Sequence, residues 1–244
     1  MTRFELQGVR FNVACHPGHF GTFQDGQRGP YRDHDEMESF LARTGGLRNL
    51  VDVGAEYGAY SLVFTRHPDA HALAIEPSPR AFPMLAANIA ANPDRHIRAL
   101  NVFVGKDAGV PMSCAYLGEQ LHADQGGGPD WHVKYGGTPM EDARLMLPQV
   151  PLDEICRDIP VDCIKIDTEG FECSVIRSGR ATIEKWRPLM FLEVHATCFA
   201  GHGESAQSFM ELMEDLRYTL KQHDGSPADP VQDNSFMRIF AEPR

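Results

Sequence analysis

Two stretches in which short apolar runs alternate with helical segments, residues 48–104 and 161–195, restrict this chain more than any other feature of its sequence. "LRNLVDVG", "HALAIEP" and "IRALNVFVG" read as strands, separated by "AYSLVFTRH" and by "SPRAFPMLAANIAAN", for which Ser78 is a plausible N-cap. Strand, helix, strand, helix, strand in so short a span requires right-handed crossovers, and therefore a mostly parallel sheet with helices on both faces. The rhythm resumes with "VDCIKID", the helix "ECSVIRSGRATIEKW" and the strand "PLMFLEVH". After the helical "SAQSFMELMEDLR", the segments "YTLKQHD" and "SFMRIFAE" predict two further strands, paired antiparallel at one end of the sheet.

The remaining segments are less regular. "RFELQGVRFNV" reads as a hairpin turning near Gln7 and Gly8, followed by a Gly/Pro-rich loop and a short helix at "DEMESFLAR". Residues 1–47 are accordingly read as an extension and residues 48–244 as the main domain. Within that domain residues 105–150 form an insertion, with "MSCAYLG" as an added strand and "DQGGGPDWHVKYGGTPM" too rich in Gly and Pro for a regular element. Trp131, His132 and Tyr135 make this a candidate lid.

Composition excludes several classes. A net charge of −11 opposes non-specific phosphate binding, so nucleic acid is not an expected partner. No window has the apolar length of a membrane span and the N-terminus lacks the apolar core of a signal peptide, which predicts a cytoplasmic protein. The six cysteines include no CxxC pair and read as reduced core thiols. The oligomeric state is not fixed by any of these features.

The first strand ends in "VDVGAEYGAYS". Gly54 and Gly58 allow close backbone approach, and a helix N-terminus follows. A dinucleotide fingerprint needs GxGxxG; the spacing here is GxxxG, and carboxylates at Asp52 and Glu56 would repel a pyrophosphate. They suit instead a cationic nucleoside such as S-adenosylmethionine. Glu76 ends the second strand 22 residues after Gly54, where an acid accepts hydrogen bonds from ribose hydroxyls. "IKIDTEGFE" adds Asp167, Glu169 and Glu172 at the end of a later strand. Glu169 and Glu172 have a sufficient role in capping or supporting the turn, whereas Asp167 sits where open α/β sheets bind ligands.

These segments together resemble the FkbM family of class I S-adenosylmethionine-dependent methyltransferases: "VDVGAEYGAYSL", "AIEPSPRAFPMLAANIAAN", "VPLDEI", "IKIDTEGFECSVIRSG" and "RPLMFLEVH". The combination of KIDxEGxE with a later LEVH is the specific part. The resemblance implies a Rossmann-like, mostly parallel seven-stranded sheet with an antiparallel last strand, and methyl transfer to a hydroxyl oxygen of a sugar, glycan or natural product. It implies that Asp52, Gly54, Glu56, Gly58 and Ser61 surround the methionine portion of the cofactor, that Glu76 meets the ribose and Phe103 and Val104 the adenine, and that Asp167 lies beside the sulfonium. Tyr57 and Pro77 belong to the same contact set. Glu56 departs from the pattern, standing where the family carries Asn.

An acceptor alcohol must lose its proton during attack, and two arrangements could take it. In one, His195 is the general base, tuned by Glu193 or Asp167. In the other, Asp167 and Glu193, at the ends of neighbouring strands, hold a Mg²⁺-type ion that acidifies the acceptor. Two alternative functions remain at this stage, a non-catalytic S-adenosylmethionine-binding module and a nucleotide-linked dehydrogenase, the second disfavoured by the missing middle glycine.

Overall fold

A computed structural model of the chain describes residues 2–6, 9–13, 33–78, 81–109, 111–113, 146–233 and 236–244. The expected turn at Gln7 and Gly8, the loop up to residue 32 and the candidate lid residues Trp131, His132 and Tyr135 lie outside them.

The N-terminal hairpin pairs β1 (Thr2–Leu6) with β2 (Val9–Val13) and is followed by α1 (Asp33–Thr44). Asn12 ties the hairpin to the body: its backbone N–H donates to Asn92 Oδ1 at 2.9 Å, and Asn92 Nδ2 donates back to Asn12 O at 2.7 Å. The βα rhythm then appears as β3 (Asn49–Val53), α2 (Ala59–Phe64), β4 (His71–Ile75), α3 (Ala81–Ala90) and β5 (His96–Leu100). The third predicted strand is divided, because Phe103 and Val104 leave β5 and form β6 (Phe103–Val104) in a separate small sheet with β7 (Pro111–Ser113) and β8 (Met146–Val150). Next come α4 (Leu152–Ile155), β9 (Cys163–Asp167), α5 (Glu172–Ser178), α6 (Arg180–Trp186) and β10 (Leu189–His195). A single helix was expected over the α5–α6 span. It breaks at Gly179, where a Cβ would come within 2.6 Å of Leu152 Cδ2, so close packing by α4 fixes the joint. After a 3₁₀ turn over Ala196–His202 the chain ends with α7 (Ala206–Asp215), β11 (Tyr218–Lys221), α8 (Pro230–Asp233) and β12 (Phe236–Pro243).

The main sheet has seven strands in the order β11, β12, β10, β9, β3, β4, β5. All neighbours from β10 to β5 are parallel, and β12 inserts antiparallel between β10 and β11. Successive residues of a strand face opposite sides. Val51, Val53, Ile164, Ile166, Leu192 and Val194 therefore enter one core with residues of α5, α6 and α7, and Leu50, Ala72, Ala74, Cys163, Phe191 and Phe240 enter the other with α1, α2 and α3. Cys156, Cys163, Cys173 and Cys198 are buried thiols. Among the described residues no helix is long and apolar enough to cross a membrane.

Candidate active site

The order of strands reverses between β3 and β9, and the carboxyl ends of such strands are where open α/β sheets form their ligand crevices. The apolar pattern of the second face stops there. Cross-strand register aligns Asp52 with Lys165, and Lys165 with Phe191; one row further, Asp167 stands opposite Glu193, and Glu193 opposite Arg238. The result is a row of charges across β9, β10 and β12, with Asp52 of β3 behind it. Lys165 Nζ lies 3.4 Å from Asp167 Oδ2 and 3.9 Å from Asp52 Oδ1, and 4.9 Å above the Tyr60 ring. Arg238 pairs with Glu193 at 3.1 Å and with Glu36 of α1 at 2.6 Å.

Two carboxyl groups facing each other across a strand pair repel when both are ionised. Burial foremost, with the nearby Asp167 charge, pushes the Glu193 carboxyl up to about 8. Burial acts on Asp167 in the same direction, but Lys165, His195, a hydrogen bond from Glu193 and Arg238 outweigh it and hold Asp167 below its usual value. The pair therefore titrates as a unit, in which the surrounding cations favour an ionised Asp167 and burial favours a protonated Glu193. Asp52 is raised by burial despite Lys165, whose ammonium lies closer to Asp167.

The first turn is built from left-handed residues, Gly54 (φ 77°), Glu56 (φ 52°) and Gly58 (φ 88°). Gly54 is obligatory, since a Cβ there would lie 1.7 Å from the backbone oxygen of Asp167. Asp52 and Ser61 are both sealed beneath the turn, where Ser61 Oγ donates to Asp52 Oδ2 at 2.7 Å; they support the turn from below and face each other. Tyr57 is buried and its carbonyl accepts from Asn88 Nδ2 at 2.7 Å. Glu76 closes the turn: its Oε2 accepts from the Glu56 N–H at 2.8 Å and its Oε1 from the Ser78 N–H at 2.7 Å. Asn101 Nδ2 donates to the carbonyls of Glu76 and Pro77. Burial first, and Asp167 further off, push Glu76 up to about 7; burial, Asp167 and Glu76 push Glu56 up to about 8. Phe103 and Val104 are buried beyond this turn, with Phe103 edge-on to Phe171 at 5.0 Å and Phe171 in turn 4.1 Å from the His202 ring.

Glu172 is the staple of the second turn. It is fully buried, and its Oε1 accepts from the backbone N–H groups of Thr168 and Gly170, from the Thr168 hydroxyl and from His195 Nδ1 at 3.3 Å. His195 Nε2 lies 3.3 Å from Glu169 Oε2. Burial alone would lower the pKa of this imidazole, but Glu172, Glu169 and Asp167 together push it up to about 10. His195 was expected as a base tuned by Glu193 or Asp167. Its immediate partners are instead Glu169 and Glu172, whose carboxylates raise its affinity for a proton.

Asp167, Glu193 and His195 bring one ligand atom each within 4.8 Å of one another. Lys165 and Arg238 already hold the two carboxyl groups, and both ring nitrogens of His195 face carboxylates of Glu169 and Glu172. This donor set does not fit the Mg²⁺-type ion expected at Asp167 and Glu193, which needs ionised oxygen ligands free of competing ammonium and guanidinium groups.

Lys165, Arg238 and Glu36 had not been singled out from the sequence. For Lys165 a signal existed: a lysine inside "VDCIKID" is almost never buried unpaired. Arg238 is recognisable only once β12 is known to adjoin β10.

The chain matches the Methyltransferase FkbM domain over residues 52–223. Among solved structures it resembles a methyltransferase FkbM from Methylobacillus flagellatus KT at 17% identity, covering 87% of this chain and 52% of that one, with a TM-score of 0.52. It also resembles the T. thermophilus 16S rRNA N2 G1207 methyltransferase, solved with AdoMet and guanosine, at 17% identity, covering 100% of this chain and 50% of that one, with a TM-score of 0.50. The chain thus spans about half the length of each, and likenesses at this identity establish the fold alone. No curated protein sequence matches it significantly.

Proposed function

The chain belongs to the FkbM methyltransferase family, and from that premise we propose that it is an S-adenosylmethionine-dependent O-methyltransferase acting on a hydroxyl of a sugar, glycan or natural-product scaffold. The observation that carries this reading is the excess of buried acid at the switch point. Asp52, Glu56, Glu76, Asp167 and Glu193 converge there against Lys165 and Arg238, which suits a ligand bearing positive charge. The donor set at Glu76 fits the nucleoside. A carboxylate offers about four acceptor sites, and backbone N–H groups occupy one on each oxygen, leaving capacity for ribose hydroxyls. When bound, S-adenosylmethionine supplies a methyl group made electrophilic by its sulfonium.

The chain's own residues have three tasks in this reading. Glu76 and the 54–58 turn orient the nucleoside, with Phe103 and Val104 beside its base. Alignment of this kind supplies on the order of 7–11 kcal/mol in well-oriented reactions. Asp167, kept ionised by Lys165, faces the developing reaction centre. The Asp167–Glu193 pair takes the acceptor's proton, an ability it gains as Glu193 loses its own proton near pH 8. His195 fixes the 168–170 turn through Glu172 and Glu169. The acidic net charge favours a neutral acceptor over nucleic acid. We further propose residues 1–47 as an extension to a methyltransferase domain of residues 48–244, and a cytoplasmic location.

The test is calorimetric titration with S-adenosylhomocysteine of the wild type and of Glu76→Ala. Micromolar binding that weakens at least tenfold in the variant is expected, and absence of binding to the folded wild type would overturn the reading. Binding without turnover of any hydroxyl acceptor would instead leave a binding module. Turnover is expected to survive EDTA, and loss with rescue by Mg²⁺ would restore the metal arrangement.

A further inference from the structure

On the face of the sheet that carries the charge row, β10 and β12 contribute successive rungs. Phe191 stands opposite Phe240, Glu193 opposite Arg238 and His195 opposite Phe236, and alternate residues of a strand share a face. Helix α1 covers the first two rungs, since the Phe40 ring lies 5.5 Å from that of Phe191 and Glu36 pairs with Arg238. The last rung ends in an open ring: Phe236 is 44% exposed, more than Trp186 or Val231, the other large hydrophobic residues exposed among those described. A single exposed apolar residue needs no explanation in itself. This one stands one rung, about 7 Å, beyond the Glu193 that faces Asp167. Its ring is also held in place, with the Arg238 guanidinium 4.8 Å from its centroid and the His195 ring at 5.0 Å, tilted by 53°. Around it, the carboxyl groups of Asp167 and Glu169 keep part of their surface open to solvent.

Resting on the O-methyltransferase reading above, we propose that Phe236 is the platform of the acceptor subsite: the C–H face of a sugar ring stacks on it while the ring's hydroxyls reach Asp167 and Glu169. An apolar surface bordered by hydrogen-bond acceptors matches a ligand that has an apolar face and a hydroxyl edge. A pyranose is such a ligand, and its C–H groups carry the partial positive charge that the face of an aromatic ring attracts. A planar phenol would also stack, but it offers one hydroxyl to the two open carboxyl groups. The spacing of the rungs places a hydroxyl of a ring seated on Phe236 at the Asp167–Glu193 pair, where the proposed proton transfer occurs.

The test uses the full chain. Methyl glycosides of hexoses and deoxyhexoses, with phenol and catechol as planar counterparts, are screened against the protein saturated with S-adenosylhomocysteine by saturation-transfer NMR, and as acceptors by transfer of a labelled methyl group. At least one glycoside is expected to bind the wild type through the C–H protons of one ring face, and Phe236→Ala should raise its KM about tenfold with S-adenosylhomocysteine affinity unchanged. Phe236→Tyr should restore the wild-type KM, and Phe236→Leu, which keeps apolar bulk without the π face, answers the question if the Ala variant folds poorly. A lowered kcat at unchanged KM would mean that the ring only supports Arg238, and would overturn the proposal. So would glycoside binding undiminished in the Ala and Leu variants, binding of the phenols in preference, or no glycoside binding to the nucleoside-loaded wild type; each of these leaves the donor pocket standing. Failure of the folded wild type to bind S-adenosylhomocysteine would overturn the donor reading and this one with it.

Discussion

The two ends of the central sheet solve the same backbone problem and treat charge in opposite ways. At the amino end, Asp162 accepts from the backbone N–H groups of Arg48 and Asn49 and from the Asn49 side chain, and the Arg187 guanidinium donates to the carbonyls of Leu216 and Arg217. Each charge there finishes a strand or helix end. At the carboxyl end, acids face acids: Glu56 beside Glu76 and Asp167, and Asp167 opposite Glu193. Left-handed non-glycine residues occur at both ends, Arg187 and Arg217 at one, Glu56 and Glu169 at the other. Strain by itself therefore does not mark the site. The carboxyl end is set apart by acids that stand beside acids.

Substitutions of one aspartate from each end put the greatest load on this contrast. Asp167→Ala should lower methyl transfer by about 10²–10⁴-fold in a chain that still folds, read by transfer of a labelled methyl group. Asp162→Ala should instead cost about 1–3 kcal/mol through orphaned amides, or roughly 2–4 °C of melting temperature per kcal/mol, with nucleoside affinity unchanged. Weakened binding in Asp162→Ala would erase the distinction between the ends.

A somewhat smaller effect is expected in the pH dependence of turnover. The rate should rise toward an apparent pKa of about 8, the value of Glu193, and Glu193→Gln should flatten that limb. Stability should move the other way. For Glu56, Glu76 and Glu193, folded values of about 7 to 8 exceed the ordinary 4.5; the stability they contribute is complete below the unfolded value and is lost as pH rises through 7 to 8. His195, raised from 6.5 to about 10, has the same sign over a higher window, contributing fully below 6.5 and losing that contribution as pH climbs to about 10. The melting temperature should therefore fall from pH 5 to pH 9; a flat or rising profile would contradict the raised proton affinities of these groups.

The smallest contrast is conformational. Glu56→Asn relieves a left-handed turn and should raise stability by about 1 kcal/mol. Arg187→Gly relieves the same conformation but removes the bonds to Leu216 and Arg217, and should lower it. Thermal melts of both variants with the same sign would show that the two ends are not built on different terms.

Much of this was legible in the sequence for a local reason. The alternation of periods over residues 48–104 and 161–195 determined the parallel strands, and strand-end positions drew attention to Glu76, Asp167 and Glu193. What escaped depended on contacts distant along the chain. Arg238 meets Glu193 only because β12 threads between β10 and β11, a register that no periodicity encodes. The break at Gly179 comes from Leu152, 27 residues earlier by number, and the raised proton affinity of His195 from a turn whose acids looked sufficient as caps. Lys165 was visible, but its charge had to be weighed against its burial before it could be assigned a partner.

The insertion of β12 has a consequence for biosynthesis. A nascent chain that has emerged only to residue 233 already contains β9, β10 and the turns over residues 54–58 and 168–170, yet lacks the strand that pairs with the edge of β10 and the guanidinium that pairs with Glu193. Residues 236–243 then pair with both β10 and β11, closing that edge and completing the charge row. Translation thus delivers the guanidinium partner of Glu193 last, after both members of the Asp167–Glu193 pair have been made.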